Sequence, residues 1–165
     1  MSTRLSYIKV GQFNLDQVMA LSVRDSEKHL IASNAEWLAD AAHEPDALSF
    51  AIHAGPQAVG LISVIDPRVI EDAEEDFQPQ HLYVWRLMID QAHRGYGYGA
   101  AAIAFAAELA RIMGLKGVSL TTMDRAAGNA LPFYNSLGFQ PTGRRLNGEV
   151  ELLRDGVIAG DKTHA

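Results

Sequence analysis

The feature that most constrains this chain is "RLMIDQAHRGYGYGAAAIAFAAELARIMG", residues 86–114. An apolar segment runs into a loop where Gly95, Gly97 and Gly99 alternate, and the loop opens directly into an alanine-rich run. The segment around its start, "HLYVWRLMI", is nearly continuous in apolar and aromatic residues, which predicts a strand in a sheet covered on both faces. After the loop, Ala100, Ile103, Ala107 and Ala110 fall on one helical stripe, and Gly114 is placed to end it. Glycine lets the backbone approach a ligand closely and tolerates positive φ. The first turn of a helix offers unpaired N–H groups and the positive end of the macrodipole. Together these make a site for phosphate or diphosphate, although a tight turn with no ligand would use the same glycines.

Two better-known phosphate loops fit poorly. The G-x-x-x-x-G-K-[ST] loop is absent, and the G-x-G-x-x-G dinucleotide fingerprint fails because the glycines alternate strictly and no early βαβ unit surrounds them.

The rest of the chain supplies the setting. "RLSYIKV" reads as a first strand, and "NLDQVMALSV" as a helix with Asn14 as cap and Gln17 three residues on. "SNAEWLADAAH" opens with Ser33 and Glu36 at capping-box spacing and places Trp37, Leu38, Ala41 and Ala42 on one face. "ALSFAIHA" and "AVGLISVI" form a hairpin around "GPQ". Five of the six residues from Glu71 to Asp76 are acidic, and that stretch reads as a solvated loop. "GVSLTTM" is a further strand. Asn129 caps a last helix, with Pro132 in its first turn and Gly138 at its end. "FQPTGR" and "GEVELLR" close the chain as a strand pair. The order predicts one α/β domain over residues 1–165. Its twisted central sheet is mixed and mostly antiparallel, flanked by helices, with a β-α-β-α-β second half that contains a parallel crossover.

Composition excludes several classes. The 165 residues suit one domain with a proper core, and 48% apolar against 21% charged residues argue against disorder. There is no cysteine, hence no disulfide frame and no thiolate nucleophile or ligand. No run of eighteen apolar residues suggests a membrane span, and the start lacks the apolar core of a signal peptide, so a cytoplasmic protein is expected. The six histidines show no paired-ligand spacing, and no metal is expected. The net charge of −6 divides into −8 over residues 1–80 and +2 over residues 81–165. No clustered basic face points to nucleic acid. The asymmetry instead suits an anion on the second half and a cation near the first, or two solvated surfaces of no special meaning.

Two motifs carry a resemblance. "Arg94-Gly95-Tyr96-Gly97-Tyr98-Gly99" has the shape Q/R-x-x-G-x-G/A after a strand ending "RLMID", and resembles motif A of the GNAT superfamily of acyl-CoA N-acyltransferases. "LPFYNSLGF", residues 131–139, resembles that superfamily's second signature, a helix carrying a tyrosine before Leu-Gly-Phe. Residues 21–41 and the tail "TGRRLNGEVELL" are similar to the bacterial spermine/spermidine (diamine) N-acetyltransferase subgroup, and the likeness covers residues 4–153.

The resemblance implies that acetyl-coenzyme A binds as co-substrate. Its diphosphate would be held by the N–H groups of Arg94, Gly95, Tyr96, Gly97, Tyr98, Gly99 and Ala100, with the Arg94 charge in addition. The backbone of Leu87, Met88 and Ile89 would hydrogen-bond the pantetheine arm. Backbone N–H groups near Ile89 can polarise the thioester carbonyl, and Tyr134 would give its proton to the departing thiol. Several relatives carry a carboxylate four positions before the equivalent of Ile89; this chain has Trp85 there. Asp90, Glu27 and Glu149 are then candidates for the base, acting directly or through water, with direct capture of the neutral amine as the alternative. Asp90 is equally a turn cap. Asn129 either contacts the cofactor or caps its helix. Asp25, Glu27 and Glu149 would attract a cationic, polyamine-like acceptor. Other amines (an amino acid, an aminoglycoside or a protein N-terminus) are the alternative acceptors, and a non-catalytic acyl-CoA-binding module is the alternative of a different class. A homodimer is an expectation carried over from the superfamily.

Overall fold

The computed structural model describes residues 3–31, 33–44, 46–70 and 77–156. The acidic stretch 71–76 lies outside the described residues. Seven strands form one sheet in the order β1-β2-β3-β4-β5-β7-β6, where β1 is Leu5–Lys9, β2 Ala47–Ala54, β3 Gln57–Ile65, β4 His81–Ile89, β5 Gly117–Thr122, β6 Gln140–Leu146 and β7 Glu149–Asp155. The helices are α1 Leu15–Ala20, α2 Asn34–Ala41, α3 Tyr98–Ile112 and α4 Leu131–Ser136. As expected, β4 and β5 run parallel across the α3 crossover, while β1–β2, β5–β7 and β6–β7 are antiparallel. No helix among the described residues is long and apolar enough to cross a membrane.

The chain divides into two compact units, one of Met1–Val64 with Arg86–Ala102 and the other of Ile65–Trp85 with Ile103–Ala165. In the first, β2 and β3 meet at a two-residue turn whose Gly55 has φ 62°, as a hairpin with glycine first requires. Val18, Ile52, Leu61 and Ile62 are fully buried there, and each such side chain contributes roughly 1.5–3 kcal/mol. Gly60 has a packing role. A Cβ on it would sit 2.7 Å from the Met88 carbonyl oxygen and 2.8 Å from Ile89 Cδ1, so glycine lets β3 lie against the end of β4.

Two cap expectations had different outcomes. Ser33 Oγ accepts from Glu36 N–H at 3.2 Å and Ser33 N–H donates to Glu36 Oε2 at 3.0 Å, closing the capping box of α2. The Asn14–Gln17 pair forms no box. Asn14 turns back to accept from Gly11 N–H at 2.9 Å and donate to Lys9 O at 3.2 Å, while Gln17 Oε1 accepts from Ala58 N–H at 2.9 Å. Closing the β1–α1 turn and tying down β3 take the amides that a cap would use, and α1 stops at Ala20.

In the second unit, β4 pairs with β5 from His81↔Gly117 to Val84↔Leu120. β5 then continues against β7 to Thr122↔Val150. The β6–β7 hairpin turns on Asn147 (φ 50°) and Gly148 (φ 82°), the Asn-Gly pair that a tight right-twisted hairpin favours. The apolar stripe of α3 is shifted slightly from expectation: Ala102, Ile103, Ala106, Ala107 and Ala110 are buried and Ala100 is half-buried. Gly117 tolerates no side chain, because a Cβ would lie 2.0 Å from the Arg154 carbonyl oxygen and 2.8 Å from Asp155 Cα. Both are backbone atoms of the paired strand and cannot rotate away. Gly117→Ala should therefore cost about 3 kcal/mol, at the upper end of overpacking effects. Chemical denaturation checks this, and an unchanged midpoint would contradict it.

Candidate functional site

The loop predicted to hold an anion lies in the first unit. Gly95 and Gly97 have φ of 86° and 79°, a region that side chains with a Cβ enter only at a cost. Nothing lies within 4 Å of a Cβ built on either, so their openness is not explained by packing. Gly99 differs: it lies inside the first turn of α3. The first bond of α3 runs from Ala101 N–H to Gly97 O at 3.1 Å. Helical geometry leaves the N–H groups of Tyr98, Gly99 and Ala100 without an intrahelical acceptor. The residue before them, where Ser or Asp would supply a capping oxygen, is Gly97. Three donors and the positive end of a fifteen-residue helix thus meet at a glycine pair with open space around it. That suits a diphosphate. Tyr96 and Tyr98 flank the loop with stacked rings 5.5 Å apart, Tyr96 being strongly exposed.

Arg94 fastens the loop instead of projecting from it. Its Nε donates to Ile89 O at 2.8 Å and its Nη1 to Glu27 Oε2 at 3.0 Å. Glu27 also accepts from Arg24 N–H at 3.2 Å. Partial burial pushes its carboxyl upward, but the Arg94 and Arg24 contacts outweigh that and hold it below the usual carboxylate range. Asp25 pairs with Lys28 at 2.7 Å, and Lys28 lowers its pKa. Asp90, directly after β4, is buried. Its Oδ1 accepts from Ser22 N–H at 2.9 Å and its Oδ2 lies 3.0 Å from His93 Nδ1. Both carboxylate oxygens of Asp90 are engaged, tying Ser22 and His93 to the end of β4, although its side chain makes no cap bond to the backbone of the turn that follows. Met88 and Ile89 are buried and Leu87 half-buried.

The second unit holds the tyrosine. Tyr134 on α4 is half-buried, with its ring edge-on to Phe139 at 5.7 Å and tilted to Phe133 at 5.1 Å. Burial raises its phenol pKa, and the Glu149 charge and Tyr83 raise it further, so the hydroxyl keeps its proton across the neutral range. Its neighbours form a short chain: Tyr83 Oη lies 2.9 Å from Thr121 Oγ1, and Thr121 Oγ1 donates to Glu149 Oε2 at 2.8 Å. Asn129 accepts from Leu131 N–H at 2.9 Å and donates to Ala126 O at 2.8 Å. Both ends of its amide therefore hold the start of α4, although the capping position proper is Ala130.

Tyr83 and Thr121 do not emerge from the sequence reading as site residues. The available signal was parity along "SLTT", which puts Thr121 on the face of Ser119, but their partner depends on the register of β7. No group of three or more potential metal-ligating side chains occurs among the described residues.

A family model described as the acetyltransferase (GNAT) family matches residues 15–139. A search of curated proteins finds no match. Among solved structures, an acetyltransferase from Thermus thermophilus superposes with a TM-score of 0.67 at 18% identity, covering 94% of this chain and 99% of that one. The PaiA N-acetyltransferase from Thermoplasma acidophilum, in complex with coenzyme A, gives 0.65 at 13% identity, covering 92% and 99%. A Bacillus subtilis acetyltransferase in complex with CoA gives 0.62 at 15% identity, covering 92% and 97%. At these identities the structures speak for the fold, and the family model speaks for the family.

Proposed function

Because the chain belongs to the acetyltransferase (GNAT) family, we propose that it transfers an acetyl group from acetyl-coenzyme A to a primary amine of a small, cationic, polyamine-like acceptor. Acetyl-coenzyme A as co-substrate is the family's chemistry, and two of the structural neighbours were solved with coenzyme A bound. One feature of this chain carries the fit: N–H groups of Tyr98, Gly99 and Ala100, which helical geometry leaves without an intrahelical acceptor, beyond two glycines held at positive φ in open space.

Bound acetyl-coenzyme A would supply an activated acetyl thioester. The N–H groups of residues 94–100 would grip its diphosphate, and the backbone of Leu87, Met88 and Ile89 its pantetheine arm. The Arg94 guanidinium is already engaged by Glu27 and Ile89 O, so its contribution would be to fix the loop's entry. Tyr134 would hold a proton at its phenolic oxygen for the leaving sulfur, and its raised pKa supports an acid role over a basic one. Asn129 would act by setting the start of α4. The cationic acceptor is supported by the acidic first half of the chain, net −8 over residues 1–80, and by the similarity to the diamine subgroup. Asp25 and Glu27 would contribute field rather than contact, since each is paired with a basic side chain. The homodimer belongs to this reading as the resemblance implies it.

A thiol-release assay with acetyl-coenzyme A over a panel of amines tests the reading. Turnover should be highest with alkyl diamines and polyamines. Preference for a neutral amino acid or a peptide N-terminus would overturn the acceptor class, and micromolar coenzyme binding without turnover on any amine would overturn the amine-acetylating role.

A further inference from the structure

We propose that Glu149 is the group that binds the acceptor's ammonium and takes up its proton, aligned for this by the Tyr83–Thr121 hydroxyl chain. The inference rests on the amine-acetylating reading above and assigns the base that the sequence left open. Asp90 has both oxygens bound, to Ser22 N–H and His93, and Glu27 is committed to Arg94. Glu149 differs from both. Among the described residues its carboxylate takes one hydrogen bond, at Oε2 from Thr121, and no cation pairs with it, which leaves Oε1 for a ligand.

The register explains why this carboxylate is oriented rather than loose. Thr121 pairs with Glu151 across β5 and β7. Residues opposite one another share a face and residues two apart share it too, so Thr121, Glu151 and Glu149 lie on one side of the sheet. Tyr83, paired with Ser119, lies on the same side. Thr121 has a single hydroxyl proton and spends it on the carboxylate, so its oxygen accepts from Tyr83 O–H. Glu151, two residues along the same strand, provides the contrast. It is 2% exposed, and its Oε1 accepts from Gln78, Thr142 and Arg144 while its Oε2 takes Arg144 Nη2 at 2.7 Å. Glu151 is saturated and structural; Glu149 is half-buried and unsaturated. Its position is also braced from outside, because Arg145 holds both Asp124 oxygens and the Gly148 carbonyl immediately before it.

Among the described residues, the charged and titratable groups near Glu149 are Tyr134 on α4, Tyr83 on β4, and Glu151 and Arg144, paired with each other on β7 and β6. Arg145 on β6 is paired with Asp124. The Glu149 charge is felt at Tyr134, so proton acceptor and proton donor occupy one neighbourhood within this unit. In the reaction, an ammonium N–H bond breaks with its electron pair left on nitrogen, and the proton goes to Glu149 Oε1. The freed pair forms the N–C bond to the acetyl carbonyl carbon as the C–S bond to coenzyme A breaks. Sulfur takes the Tyr134 phenolic proton, and the phenolate is restored by the second proton lost from nitrogen. One proton leaves Glu149 to water at each turnover.

Glu149→Gln is nearly isosteric and tests the role directly. With an alkyl diamine, kcat/KM at pH 7 should fall by about 10²–10³-fold, within the range for losing a general base. The loss should shrink about tenfold per pH unit toward the amine pKa of about 10, because the variant depends on the free-amine fraction. Calorimetric affinity for the diamine, measured with coenzyme A bound, should weaken at least tenfold while coenzyme A affinity and melting temperature hold. Thr121→Val should show a smaller loss with the same convergence, and Thr121→Ser should restore the parent profile. A Glu149→Gln profile parallel to the parent at every pH, or an unchanged diamine affinity, would overturn the assignment while leaving the acetyltransferase reading intact. Absence of turnover on any amine by the unsubstituted protein would remove both.

Discussion

Replacing Gly97 with aspartate should weaken coenzyme A binding by about a hundredfold or more. Gly97 sits immediately before the first turn of α3 with φ 79° and open space around it. An aspartate there would put a carboxylate where the ligand's diphosphate belongs and would offer its own oxygens to the N–H groups of Tyr98, Gly99 and Ala100. Two unit charges 4 Å apart repel by about 4 kcal/mol at an effective dielectric of 20, and each 1.4 kcal/mol is about tenfold in affinity. Screening at this open site reduces the repulsion, which brings the expectation to roughly two orders of magnitude. The fold should barely notice. Positive φ costs a residue with a Cβ about 1–2 kcal/mol, aspartate tolerates that region better than most residues, and a new capping oxygen returns a few tenths. A large loss of affinity with a small change in melting temperature is therefore the signature. Unaltered affinity by calorimetry would mean that the anion is held elsewhere.

Tyr134→Phe should lower kcat by about 10²–10⁴-fold and leave coenzyme A affinity within a few-fold of the parent. The ring is packed by Phe133 and Phe139, and phenylalanine keeps those contacts, so the change removes the proton and little else. The pH dependence follows from the sign of the shift. Burial and the neighbouring Glu149 charge raise the phenol pKa, so the acid form persists above the usual tyrosine value of about 10. No alkaline fall in rate should arise from Tyr134 below that pH. Steady-state kinetics over a pH series would check both, and an unchanged kcat would remove the tyrosine from the chemistry.

Much of the fold was legible in the sequence because it is local. The α2 capping box needs only Ser33 and Glu36 at the right spacing, and it forms. The fifteen residues of α3 announce themselves by an apolar stripe and a terminal glycine, Gly114, at φ 78°. The glycine loop was legible for the same reason, since its two positive-φ residues and the helix after it are contiguous. What failed was local pattern overruled by distant partners: Asn14 and Gln17 had cap spacing but were taken by Gly11, Lys9 and Ala58.

The carboxylates show the limit most clearly. Asp90, Glu27 and Glu149 stood together as candidate bases, Asp90 also as a turn cap and the two glutamates also as acceptor contacts. Their difference rests on Ser22 N–H, Arg94 and Thr121, which lie 68, 67 and 28 residues away in sequence. The last contact also depends on β7 inserting between β5 and β6, a choice of strand order that no periodicity in "GEVELLR" encodes.

The diphosphate of acetyl-coenzyme A is expected on the main-chain N–H groups at the start of α3. A titration of isotope-labelled protein with coenzyme A, followed by amide nuclear magnetic resonance, reads those groups directly. The amides of Gly97, Tyr98, Gly99 and Ala100 should show the largest shifts and saturate at the calorimetric Kd. Binding of the same affinity that leaves these four resonances in place would contradict the account.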